Sequence, residues 1–153
     1  MLKTYLQDIA KKYLQGDARE ETYYEVLSSL IQDYAKQNQQ DIEITTLPKQ
    51  TEAGNPEFRI WDGKAHVIGY IEAKKPSTEN LDRIETSRQL QRYLSTFPNV
   101  ILTNFHEFRL YRDGNLIERT SIARFFTLKE LKQVPTVEKQ QEFLKLLDRF
   151  LSF

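Results

Sequence analysis

Two segments of this chain carry the same local instruction. Glu57 to Trp61 and Val67 to Lys74 flank Asp62-Gly63, and Phe105 to Tyr111 and Leu116 to Arg119 flank Asp113-Gly114. Each is a pair of strand-like runs joined at a dipeptide that accepts positive φ, which is a strong short-range hairpin signal. Two such hairpins commit the chain to a sheet, and the remaining segments have to cover it.

The segments around the hairpins supply that cover. Leu2, Tyr5, Leu6, Ile9, Tyr13 and Leu14 recur at helical spacing, so a first amphipathic helix is expected, ended by Gly16. Asp17 is placed to cap a second helix running to about Asn38, with Tyr23, Val26, Leu27, Leu30, Ile31 and Tyr34 inward. Ile42 to Leu47 reads as a strand and Pro48 to Asn55 as a loop. Ser77 or Thr78 opens a helix to about Leu94, and Asn99 to Thr103 is a short apolar strand. Thr127 and Glu130 have capping-box spacing, and Pro135 separates that helix from a last one carrying Phe143, Leu144, Leu147, Phe150 and Leu151. The predicted order is ααβββαβββαα, an α/β or α+β domain with a mixed sheet flanked by helices.

With 153 residues and no internal linker, one domain over 1–153 is expected, its core at about 15–120 and its last helices, 127–152, leading toward further domains. No apolar run approaches the ~20 residues needed to cross a bilayer. No signal peptide is visible, because Lys3, Asp8, Lys11 and Lys12 interrupt the first apolar stretch. The absence of cysteine excludes disulfides and thiolate metal sites, and a cytoplasmic protein is the expectation. The 22 basic and 22 acidic residues cancel, so charge does not announce nucleic acid.

The stretch from Gly54 to Pro76, GNPEFRIWDGKAHVIGYIEAKKP, carries most of the chemistry. By strand alternation Phe58 and Ile60 share one face, and Glu57, Arg59 and Trp61 the other. On the second strand Tyr70, Glu72 and Lys74 share a face, opposite Val67, Ile71 and Ala73. If the loop is Asp62 to Ala65, Glu57 lies opposite Tyr70, and Glu57, Glu72 and Lys74 project together; any even-numbered loop keeps that parity. Two converging carboxylates repel unless a cation lies between them, and hard oxygen ligands suit Mg²⁺, with Mn²⁺ as a substitute. A lysine beside such an ion can position or deprotonate water, or stabilise charge on a phosphate. The plain alternative is a solvated charged face on a half-exposed hairpin.

Pro56-Glu57 followed by Glu72-Ala73-Lys74 resembles the signature of the PD-(D/E)xK nucleases. The surrounding words GDAREETYY, PKQTEAGNPEFRIWDG, GYIEAK and LSTFPNVILTNFHEFRLYRDG resemble the N-terminal nuclease domain of single-chain restriction-modification enzymes, which join nuclease, helicase and methyltransferase parts. The resemblance spans about residues 15–120. It implies a restriction endonuclease-like fold, a metal-dependent deoxyribonuclease activity on double-stranded DNA, and fused or associated helicase, methyltransferase and target-recognition domains. It assigns the metal ligands to Glu57, Glu72 and the backbone carbonyl of Ala73, and the catalytic lysine to Lys74. An acidic residue on the second helix often assists the metal in this family. Glu20 is the candidate, because it lies within about 50° of the centre of the apolar arc, at the edge of the buried stripe, while Glu21 and Glu25 point away; a plain acid at a helix N-terminus is the alternative. Gln89 and Tyr93 resemble the QxxxY motif of the RecB-like branch, with Gln89 holding a backbone or nucleotide group and Tyr93 bracing it.

One departure bears on activity. The family motif has aspartate after the proline, where this chain has Glu57. The added methylene moves the carboxylate by ~1 Å, a scale at which metal sites are sensitive. A catalytically weakened module that binds DNA or partner domains is therefore the alternative function, and a repair or recombination nuclease a third. Lys49, Gln50, Lys75 and Arg92 are candidate DNA contacts, against the simpler reading of solvated side chains. His66 and His106 lack a second histidine at zinc-ligand spacing and are given no role, and Trp61 is taken as a packing residue.

Overall fold

The structure, a computed structural model, describes residues 1–153. Its centre is a six-stranded sheet in the order β1 (Glu43–Thr46), β2 (Phe58–Trp61), β3 (Val67–Ala73), β4 (Asn99–Thr103), β5 (Glu107–Arg112) and β6 (Asn115–Ser121). All neighbours are antiparallel except β3 and β4, which run parallel. A parallel pair needs a crossover, and α3 (Leu81–Glu85) with α4 (Arg88–Thr96) provides it. The remaining helices are α1 (Leu2–Gln15), α2 (Tyr24–Gln37), α5 (Phe125–Lys129) and α6 (Gln140–Leu151). This is a mixed sheet flanked by helices, an α+β fold.

Apolar side chains divide between the two sheet faces. Phe58, Ile60, Ile71, Ala73, Ile101, Phe108 and Leu110 face the main core, where α1, α2 and α6 deliver Leu6, Leu27, Ile31, Phe143 and Phe150. Val100, Leu102 and Tyr111 face a smaller core with Leu81, Leu90, Tyr93 and Phe97. The first and last helices thus pack into the same core as the central strands.

Local chemistry explains where elements differ from expectation. Gly16 ends α1 as expected, in the left-handed region at φ 83° with its N–H donating to the Tyr13 carbonyl. Asp17 does not cap the second helix: residues Glu20–Tyr23 form a 3₁₀ turn and α2 begins at Tyr24. The single helix expected from Ser77 or Thr78 to Leu94 is two. Asn80 caps α3 and Ser87 caps α4, and the Ser87 hydroxyl also closes on the Ile84 carbonyl at 2.6 Å, breaking the helix between them. Thr127 lies inside α5 rather than at its cap, since the helix starts at Phe125 to bury that ring and Leu128. β5 starts at Glu107, because Phe105 takes φ 77° with its N–H held by the Thr103 hydroxyl. Asp113-Gly114 turns as expected, with φ 51° and 83°.

The first hairpin also pairs differently. Tyr70 lies opposite Arg59, not Glu57, and a bulge separates Ile60 from Trp61. The Asp62 carboxylate gathers the N–H groups of Lys64, Ala65 and His66 at 2.8–3.1 Å, which extends the loop to His66. The ladder therefore shifts by two residues, and side-chain parity survives because two is even.

At the junction of β3, β4 and α6, Asn99 donates to the carbonyls of Ile68 (2.9 Å) and Phe150 (2.8 Å). A Cβ on Gly69 would lie 2.7 Å from both the Asn99 carbonyl oxygen and the Phe150 ring. Gly69→Ala will therefore destabilise the fold by roughly 1–3 kcal/mol through overpacking, read as a lower urea midpoint with an unchanged slope. An unchanged midpoint would mean that this junction is loose.

Candidate active site

The acids meet where β2 and β3 leave the ladder. Phe58 pairs with Ile71, so continuing that register places Glu57 level with Glu72 and Pro56 level with Ala73. Proline has no N–H, so Pro56 can offer nothing to the Ala73 carbonyl, and the ladder stops there. The Glu57 side chain takes over, its Oε2 accepting the Ala73 N–H at 3.1 Å. In an antiparallel ladder a residue's N–H and C=O face the same neighbour, so the Ala73 carbonyl faces the Glu57 side. On the other edge, the Lys74 N–H donates to the Thr103 carbonyl at 2.8 Å and fixes the strand end.

Burial makes this arrangement costly in charge. Glu72 is 1% exposed and Glu57 8%. The Lys74 amino group lies 3.4 Å from Glu72 Oε2. Glu72 Oε1 is buried with no hydrogen-bond partner, and an unpaired buried carboxylate oxygen is costly. Glu57 is pushed up to about 9, first by burial, then by a hydrogen bond to Glu72 and by its charge. These effects favour the protonated form of Glu57 in the metal-free protein.

Glu20 approaches Glu57 from the preceding turn. Its Oε1 accepts the Tyr24 hydroxyl at 3.0 Å, and burial raises its pKa, with Glu57 among the nearby charges. Tyr24 in turn packs edge-on against Phe58 at 5.1 Å. Glu20 is partly buried while Glu21 and Glu25 are exposed. Its polar neighbours are Tyr24, Glu57 and Lys74. No group of three or more His, Cys, Asp or Glu side chains is arranged to hold a metal by itself. A metal shell here would therefore consist of Glu57, Glu72 and the Ala73 carbonyl, completed by water.

On α4, Gln89 donates to the Tyr93 hydroxyl at 3.2 Å. Tyr93 is buried, its pKa raised first by that burial and then by the charges of Glu72 and Glu57, which places it beside the acids. Gly54, at φ 124°, lies against it: a Cβ there would be 3.3 Å from the Tyr93 ring. The Pro48–Asn55 loop thus passes over the smaller core, closed by the Thr51 hydroxyl on the Gly54 carbonyl at 2.8 Å.

The candidate basic contacts are scattered. Lys49 and Gln50 are exposed on that loop, Lys75 is exposed just after Lys74, and Arg92 is exposed on α4. His66 contacts the Phe153 carbonyl (2.9 Å) and His106 the Pro76 carbonyl (3.1 Å), so both tie distant segments together. Trp61 is half-buried with the Arg59 guanidinium 5.1 Å over its ring. Two inward arginines went unassigned at the sequence level, Arg59 and Arg109. Parity puts Arg59 on the Glu57 face, a usable signal, whereas nothing local marks Arg109 as buried.

The donor set suits a hard divalent cation: two carboxylates in contact, one oxygen without a partner, and a carbonyl on the same side. The fold is a mixed six-stranded sheet flanked by helices, with the acids at the end of the β2–β3 hairpin. A solved neighbour shares it: a cryo-EM structure of a DrdV–DNA complex superposes with a TM-score of 0.69 at 19% identity. That match covers 99% of this chain and 14% of the neighbour's. No protein-family profile and no curated protein sequence matches the chain.

Proposed function

We propose that this chain is the metal-dependent DNA-cleaving module of a restriction-type enzyme. The observation that carries it is the convergence of Glu57, Glu72 and Lys74 where the β2–β3 ladder ends, with Glu72 Oε1 left unpaired. The DNA in the solved neighbour supports a DNA partner; helicase, methyltransferase and target-recognition parts, fused or associated, are what the resemblance of the sequence words adds to this proposal. No helix is long and apolar enough to cross a membrane, and a restriction module would work in the cytoplasm.

Glu57, Glu72 and the Ala73 carbonyl would hold Mg²⁺ or Mn²⁺. Such an ion, when bound, supplies positive charge to phosphoryl oxygens and lowers the pKa of a neighbouring water. Lys74, oriented by Glu72, holds the attacking water and places its amino group beside the phosphate. Water oxygen bonds to phosphorus, the bond to the leaving oxygen breaks, and a water proton ends on that oxygen. Glu20 steadies Glu57, and Gln89 would act from α4, where it is hydrogen-bonded to the Tyr93 hydroxyl.

A second reading, a weakened module that grips DNA or partner domains, draws on Glu57 itself. Its longer side chain is already engaged by the Ala73 N–H, and burial beside Glu72 raises its pKa. Plasmid nicking separates the two. The wild-type chain will nick with Mg²⁺ or Mn²⁺ and not in EDTA, and Glu57→Ala will lose on the order of 100-fold. Nicking by Glu57→Asp alone would favour the weakened module, and equal nicking by Glu57→Ala would remove the site.

A further inference from the structure

Arg109 and Arg59 both project from the sheet face that carries the acids, yet their surroundings are opposite. Arg109 is saturated: Asp82 (2.7 Å), Glu85 (3.1 Å) and Glu107 (2.7 Å) all pair with it, and Tyr111 donates to the same Glu85. It is a strut that fastens α3 to β5. Arg59 has no carboxylate partner in any of the ion pairs of the molecule. Its Nε is buried without an acceptor, and its one hydrogen bond is a long 3.4 Å contact from Nη2 to the Thr45 hydroxyl. A guanidinium has five donors and no acceptor capacity, so most of its bonding is unspent.

Arg59 lines a cleft. Thr45, Lys49, Gln50, Thr51, Arg59 and Tyr70 line it. Lys49 forms no ion pair either, so the cleft holds two cationic groups and no acid. Its aromatic wall is firm, because Tyr70 stacks on Phe97 at 4.0 Å between ring centres. Arg59 pairs with Tyr70 in the ladder, two residues from Glu57 along β2 and from Glu72 along β3. At about 3.3 Å per residue, this puts the cleft ~7 Å from the acids on the same face. Phosphates follow one another at ~3.4 Å of axial rise along a strand, so that spacing is one or two phosphate steps.

We infer that Arg59 and Lys49 form a phosphate subsite for the nucleic-acid backbone, one or two nucleotides from the bond to be cut, with Tyr70 as its wall. This rests on the nuclease reading and adds the device that sets the strand's register over Glu57 and Glu72. Arg59 is a positioning residue: a planar fork matches two phosphate oxygens at once, and in a chain whose 22 basic and 22 acidic residues cancel, an acid-free cleft with two cations is a local place for a phosphate.

The test is binding of a labelled DNA duplex in EDTA, by fluorescence anisotropy across a salt series, for wild type, Arg59→Gln, Arg59→Lys and Lys49→Gln. Each of Arg59→Gln and Lys49→Gln will weaken binding and reduce the steepness of log affinity against log salt by about one. Arg59→Lys will keep the steepness and bind more weakly than wild type, since it keeps charge and loses the fork. Lys49 is exposed on a loop, so Lys49→Gln reports even if Arg59→Gln fails to fold. Wild-type affinity and salt dependence in the folded variants overturn the subsite, as does a wild-type chain that does not bind DNA. Plasmid nicking, read in parallel, keeps the two ideas apart. Arg59-dependent binding without nicking removes the nuclease reading and leaves the subsite; nicking with Arg59-independent binding does the reverse.

Discussion

Lys74→Ala will lower DNA cleavage by on the order of 10²–10⁴-fold while leaving Mn²⁺ binding close to wild type. The reason is the division of labour at the end of β3. Glu72 is fully buried and presents an oxygen without a partner, whereas Lys74 is 23% exposed and sets its amino group 3.4 Å from Glu72 Oε2. On the nuclease reading the amino group would act on water and phosphate, where a lost hydrogen bond and charge are felt only in the transition state. One secondary effect has a known sign. Removing Lys74 takes away a positive charge that lowers the pKa of both Glu57 and Glu20, so these acids will hold their protons more tightly and metal binding will shift slightly toward higher pH. Single-turnover cleavage with metal titration in the same samples measures both. Wild-type cleavage by Lys74→Ala would remove the lysine from the mechanism, and a parallel collapse of metal affinity would recast it as part of the binding site.

Glu72→Ala will abolish detectable Mn²⁺ binding and, with it, metal-dependent cleavage. The side chain supplies the only buried carboxylate oxygen at the site without a hydrogen bond, and its loss leaves Glu57, already engaged by the Ala73 N–H, with only the Tyr24-bonded Glu20 beside it. The wild-type chain should show a matching pH signature. Glu57 is raised from 4.5 to about 9. A group whose folded pKa is raised stabilises the metal-free fold fully below pH 4.5, and that contribution is lost as pH rises toward 9. An ion that takes the place of the proton reverses the dependence, so Mn²⁺ affinity will increase with pH up to that point and binding near neutrality will release a proton. Titration calorimetry in two buffers of different ionisation enthalpy reads the proton count directly. Binding that survives Glu72→Ala, or that shows no pH dependence in wild type, would place any metal elsewhere.

Much of the site was legible because strand parity is a property of the sequence. Glu57, Glu72 and Lys74 occupy positions of one parity class around an Asp-Gly turn, and parity survived even though the loop proved longer than expected and the pairing shifted by two residues. The resemblance to nuclease signatures then named the chemistry that such a cluster suits. The buried faces of the first, second and last helices were equally readable, since apolar periodicity records which side of a helix is buried.

What tertiary structure decided lies beyond the reach of local pattern. The break between α3 and α4 depends on whether Ser87 spends its hydroxyl on a cap or faces solvent, and both are open to a serine in an isolated helix. The place of Glu20 came from a 3₁₀ turn held by Tyr24 against Phe58, not from the helical phase that first singled it out. The difference between Arg59 and Arg109 could not be read at all. Both are arginines in alternating strands, and only the crossover helix, arriving with Asp82 and Glu85, neutralises one and leaves the other facing an acid-free cleft. Periodicity fixes the face on which a side chain lies; the partners waiting there come from segments distant in the chain, and those are set when the layers pack.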